Sequence, residues 1–162
     1  MRLLEILPNG DFRLTPKLYD NKIPQYAILS HRWEDDESQE MTFEDMVNGS
    51  GRDRAGYGKI QFCGERAQLD KLQYFWVDSC CIDKTSSAEL SEAINSMFRW
   101  YQNAAKCYAY LSAVSTSDFN IQALPGQLPD DSAFRKSKWF TRGWTLQELV
   151  ARLNQPSPLE TA

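Results

Sequence analysis

Three short apolar runs, separated by stretches long enough to hold a helix, constrain this chain more than any other feature. They are Tyr26 to Leu29, Tyr74 to Val77 and Cys107 to Leu111. The first two are continuous rather than alternating, the pattern of a strand covered on both faces. After the second run, Ser86 and Glu89 have capping-box spacing, and Ile94, Met97, Phe98 and Tyr101 follow at helical intervals. A helix over 88–105 is predicted. Between the first and second runs, Ile60, Phe62, Cys63, Ala67 and Leu69 form a less regular stripe that predicts a helix over 59–72. Thr42 to Val47 fits a further helical turn. Strands alternating with helices in this way predict an α/β layer with parallel strands.

Right-handed crossovers place the C-terminal ends of such strands on one edge, where ligands bind in open parallel sheets. That edge receives Ser30, His31, Arg32 and Trp33, then Asp78, Ser79, Cys80, Cys81, Ile82, Asp83 and Lys84, then Ser112. A further polar and aromatic burst, Trp139 to Leu149 (WFTRGWTLQEL), leads into a last helix over 145–152. At the N-terminus, Arg2 to Leu7 and Phe12 to Thr15 flank Asn9-Gly10, a β-hairpin signal. Residues 34–40 read as a solvated acidic segment. Residues 48–58, with four glycines, read as a loop, as do residues 115–131. Residues 153–162 read as a frayed tail.

The chain has 162 residues and 42% apolar content, enough for one domain with a real core. A net charge of −4 without a basic run argues against nucleic acid as a partner. No stretch reaches the length of a membrane span, and Glu5 falls where a signal peptide needs apolar residues, so the expected compartment is the cytoplasm. The four cysteines, Cys63, Cys80, Cys81 and Cys107, contain no C-x-x-C, and His31 is the one histidine. If Cys80 and Cys81 lie on extended chain they point to opposite faces. No metal site is expected, and free thiols are.

Glu148 is the candidate catalytic group. Leu146, Leu149, Val150 and Leu153 form the apolar stripe of the last helix, and Glu148 lies roughly 200° from Leu146. It is either a solvated residue paired with Arg152 or a carboxylate aimed into the crevice. In the second case it can stabilise the cationic sugar formed when a glycosidic bond breaks. His31 and Trp33 either tie down a turn or serve a ligand. As ligand groups, Arg32 suits phosphate oxygens and Trp33 a stacked base. Asp78, Asp83 and Lys84 either shape a loop or touch ribose hydroxyls. Cys80 or Cys81 beside His31 raises a cysteine-hydrolase reading, but no third orienting group is in view. Neither a G-x-G-x-x-G nor a P-loop is present.

The segments Tyr26 to Trp33 (YAILSHRW), Phe75 to Lys84 (FWVDSCCIDK) and Trp139 to Leu149 together resemble the three signature blocks of the fungal heterokaryon incompatibility (HET) domain. The resemblance covers residues 1–152. It implies a filamentous fungus and a role in non-self recognition that triggers programmed cell death. HET domains are in turn similar to Toll/interleukin-1 receptor (TIR) domains. That similarity implies a TIR-like (flavodoxin-like) three-layer α/β fold with a mostly parallel central sheet, here with an added N-terminal β-hairpin. It also implies NAD as substrate, hydrolysed at the nicotinamide–ribose bond when copies self-assemble, with an upstream sensor as partner. Glu148 then carries the catalytic role. Ser30, His31, Arg32, Trp33, Asp78, Cys80, Asp83, Lys84, Arg142 and Trp144 become candidate ligand contacts. Residues 79–87 occupy the place of the loop that TIR domains use in assembly. Many TIR domains are adaptors without activity, so a non-catalytic homotypic signalling module is the alternative. The chain departs from the family pattern after Ala151, where Arg152 and a Pro-rich polar tail replace an Ala-Pro and an apolar strand.

Overall fold

The computed structural model describes residues 1–19 and 22–111. Ser112, the expected loop over 115–131, the last helix and the tail, with Arg142, Trp144 and Glu148, lie outside them.

The chain opens with the predicted hairpin. Strand β1 (Leu4–Ile6) pairs antiparallel with β2 (Phe12–Leu14), in the register Leu4 to Leu14. The turn between them needs Gly10, whose φ is +84°. Asn9 Oδ1 accepts from the Asp11 amide at 3.1 Å, closing the turn locally. Strand β3 (Tyr26–His31) follows, then helix α1 (Phe43–Asn48) and helix α2 (Ala55–Leu69). Strand β4 (Tyr74–Trp76) leads into a helical turn, α3 (Asp78–Cys81). Helix α4 (Ser87–Asn103) and strand β5 (Lys106–Tyr110) complete the described chain.

The sheet is mixed, with strand order β2-β1-β4-β3-β5. Strand β3 is parallel to both β4 and β5, and the hairpin adds to β4 in the antiparallel sense through β1. The parallel part is therefore the three predicted strands, and the hairpin makes the whole mixed rather than mostly parallel. All six residues of β3 are buried, as its continuous apolar run requires. Phe75 and Trp76 are neighbours on β4 and so point to opposite faces. Phe75 meets Phe12 edge-on at 5.1 Å, and Phe12 lies against Gly64 of α2. Trp76 meets Trp100 and Tyr101 of α4 at 5.6 and 6.0 Å. Helices α2 and α4 thus cover the two faces of one layer.

The structure corrects three expectations. Strand β3 runs on through Ser30 and His31, so these are strand residues and not a loop beyond it. Residues 55–58 belong to α2. Gly56 serves close approach rather than flexibility: a Cβ there would lie 2.8 Å from Gln39 O and 2.9 Å from Met41 N. Residues 78–81 form a helical turn, so Cys80 and Cys81 are not on extended chain, and both are buried.

Gly64 is the second close approach. A Cβ at this position would lie 2.5 Å from Phe12 Cε1, and the same ring is in T-shaped contact with the buried Phe75. Gly64→Ala is therefore expected to destabilise by about 1–3 kcal/mol of overpacking, despite the better helix propensity of alanine. Urea denaturation checks this. The loss should shrink in a Phe12→Leu background, and a gain in stability from Gly64→Ala alone would refute the account.

Candidate functional site

The polar residues at the C-terminal ends of β3 and β4 form one connected cluster. His31 ends β3 with 1% of its surface exposed, and Asp78 starts α3 just beyond β4 at 8%. His31 Nε2 lies 3.7 Å from Asp78 Oδ1 and 3.4 Å from Glu40 Oε1, ion pairs whenever the ring is protonated. Trp33 donates through Nε1 to Asp78 Oδ2 at 3.1 Å. Lys84 places its ammonium 3.8 Å above the centre of the Trp33 ring, a cation–π contact. Segments some fifty positions apart in sequence therefore meet here, as the alternating strand and helix pattern predicts.

Behind this cluster lies a buried charge network absent from the sequence expectations. Glu40, expected in solvent, is only 6% exposed, and Lys59 on α2 is only 2% exposed. Lys59 Nζ reaches Arg32 O at 2.7 Å and the carboxylates of Glu34 and Glu40 at 2.9 Å each, which occupies all three ammonium donors. Glu40 Oε2 also accepts from the Glu34 amide at 2.9 Å. Burial alone would push the Glu40 carboxyl up. Bonding and charge from His31, with bonds from Lys59 and the Glu34 amide, outweigh that and hold it down to about 2. The close approach at Gly56 sets the 39–41 segment against α2 so that Glu40 and Lys59 can meet.

One signal for Lys59 was present in the sequence. It lies on the stripe of Gly56, Ile60, Cys63 and Ala67 that α2 buries. A lysine on a core stripe demands a partner. Nothing in the acidic segment itself singles out Glu40.

The remaining candidates fall into different places. Arg32 pairs with Asp35 on the surface, which raises its already high pKa. Asp83 Oδ1 accepts from the Thr85 hydroxyl at 2.6 Å and its amide at 3.0 Å. The Thr85 hydroxyl thereby holds the Asp83 carboxyl below its usual range. Asp83 thus shapes its turn, and with Lys84 it also lines a groove of about 620 Å³ between α1 and residues 79–85. Glu89 completes only half of the predicted capping box. Ser86 Oγ accepts from its amide, but its carboxylate turns to Arg2 and the Asp83 amide. Ser30 and Cys80 are interior, at 1% and 0% exposure. The Cys80 thiol is pushed well up by its hydrogen bond with Cys81 and by burial, which withholds the thiolate that a nucleophile needs. Among the described residues no group of three or more His, Cys, Asp or Glu is placed to hold a metal ion. Among them also, no helix is long and apolar enough to cross a membrane.

Comparison with known proteins agrees with these segments. The sequence profile of the family described as Heterokaryon incompatibility protein (HET) matches residues 26–132, which span β3 to β5 and the whole cluster. Vegetative incompatibility protein HET-E-1 of Podospora anserina is 54% identical over 151 residues. Those residues are 93% of this chain and 11% of that protein, so the chain spans only a small part of its relative's length. No solved structure matches. By its profile match, the chain belongs to the heterokaryon incompatibility family.

Proposed function

We propose that this chain is the effector part of a fungal vegetative-incompatibility system, and that it hydrolyses NAD at the nicotinamide–ribose bond when copies assemble. An upstream sensor, in the same polypeptide or a separate protein, releases that activity and leads to cell death. The observation that carries the reading is the convergence of Trp33, Asp78 and Lys84 at the C-terminal ends of the parallel strands. The order of those strands, second beside first beside third, supports it, because it is how a flavodoxin-like sheet begins. In the proposed reaction the bond from C1′ to the ring nitrogen breaks, and both electrons leave on neutral nicotinamide. Glu148 stabilises the ribosyl cation. Water adds to C1′ and gives up a proton.

The test follows nicotinamide release from NAD by concentrated protein, and then by Glu148→Gln. A fall on the order of 10²–10³-fold is expected. Equal rates would remove the catalytic claim. A second reading, a non-catalytic homotypic module, draws support from the enclosure of His31, Glu40, Lys59 and Asp78, which largely bond one another. It predicts assembly without turnover, and toxicity in cells that survives Glu148→Gln.

A further inference from the structure

Helix α4 buries one line of side chains and differs in character on either side of it. Ala93 is buried, with Glu92 and Ile94 set about 100° to each side. Glu92 meets Lys17 at 2.7 Å, and Glu89, on the same flank, pairs with Arg2. Arg2 and Lys17 bracket the hairpin, so this flank faces the β1 side of the sheet. The opposite flank therefore looks toward β5, at the far edge. It carries Ile94 at 45% exposure and Phe98 at 36%, one turn apart, with Met97 half-buried beside them.

Among the described residues, β5 is well covered on one face only. Tyr110 meets Phe62 of α2 at 5.2 Å, and the Tyr108 hydroxyl donates to Asp70, at the end of α2, at 2.6 Å. Cys107 and Ala109 alternate with these and point to the α4 side, Cys107 in register with Ile28, which neighbours Trp76. Parallel strands are normally covered on both faces, yet Ala109 is exposed and Cys107 only half-buried. The apolar flank of α4 and these small residues form the wall and floor of an open corner.

We propose that residues 145–153 of this same chain seat in that corner, with Leu146, Leu149, Val150 and Leu153 as the buried stripe. They follow β5 and lie outside the described residues. An apolar helical stripe needs a surface to cover, and α2 already occupies the opposite face of β5. The corner offers large side chains on its wall and small ones on its floor, so a helix bearing three leucines and a valine can approach the strand closely. Residues 111–144 give ample length to leave the end of β5 and turn back over it. Glu148, roughly 200° from Leu146, then lies off the buried stripe.

The test is urea unfolding of the full chain. Glutamate is at least as good a helix former as isoleucine, so Ile94→Glu on a bare flank would be neutral. Under a seated segment it is expected to raise the unfolding constant at least roughly tenfold. Ile94→Ala and Leu149→Ala should also couple, the double variant falling short of the product of the single effects by roughly three- to tenfold. Leu69→Ala, on α2 at 74% exposure, should not couple with Leu149→Ala. A neutral Ile94→Glu, or additive Ile94→Ala and Leu149→Ala, overturns the seat. So does coupling that appears only as protein concentration rises and sedimentation shows a doubled mass, which would assign the flank to a second copy. None of these readouts involves NAD, so their failure leaves the reaction proposed above standing.

Discussion

Lys59→Met is expected to lower the folding stability of this domain by about 3–5 kcal/mol. Methionine keeps the length and apolar stem of the side chain but removes the charge and all three donors. Glu40 is then left as a carboxylate at 6% exposure, and the Arg32 carbonyl loses the bond it receives at 2.7 Å. The carboxylate keeps His31 and the Glu34 amide but loses one of its two cationic partners, and a buried charge stripped of a partner is worse than no charge, so the pair should behave non-additively. Lys59→Met combined with Glu40→Leu should recover most of the loss, because replacing both partners of a buried pair with apolar groups is often close to neutral. The measurement is the urea midpoint at unchanged slope. A single variant as stable as the wild type would show that Lys59 is not a tie between α2 and the edge of the sheet.

The second large effect is a loss of stability in acid. Glu40 titrates at about 2 in the folded chain against an ordinary value of 4.5. A depressed carboxylate contributes its full stability above the unfolded pKa and loses it as pH falls through the folded one. The window is therefore pH 4.5 down to about 2, and the contribution is about 3 kcal/mol. Asp45 acts in the same direction. Its burial opposes ionisation, but bonds from Thr42 and Ser50 and the charge of Arg54 hold its carboxyl below the usual range. Unfolding free energy measured between pH 5 and 2 should fall steeply in the wild type and less steeply in the Lys59→Met, Glu40→Leu double variant. Parallel curves for the two proteins would refute the assignment to Glu40.

The elements most legible in the sequence were those with local chemistry. Asn9-Gly10 gave the hairpin because its turn closes on itself, through Asn9 and Asp11. Ser86 marked the start of α4 through a single short contact with the Glu89 amide. The parallel strands were legible because burial on both faces leaves a continuous apolar run. What escaped notice depends on contacts distant in sequence. The four glycines between 48 and 58 looked alike, yet Gly49 and Gly51 adopt left-handed φ values of +69° and +73°, while Gly56 lets a helix touch the 39–41 backbone. His31 looked like a loop residue because a polar side chain after an apolar run normally marks the end of a strand. Here Glu40 and Asp78 let it stay inside. Glu40 sits in an acidic run whose members differ only in what happens to lie opposite them.

The interior thiols have one more consequence. Cys63, Cys80 and Cys81 are almost wholly enclosed, and burial raises the Cys63 thiol just as its surroundings raise that of Cys80. Alkylating reagents attack thiolates that they can reach; the native fold withholds access to all three sulfurs and ionisation from Cys63 and Cys80. Capture of these sulfurs by iodoacetamide therefore waits for the layer to come apart. The domain carries an intrinsic clock for its own opening, one that can be followed by mass without adding any label to the edge where its polar residues gather.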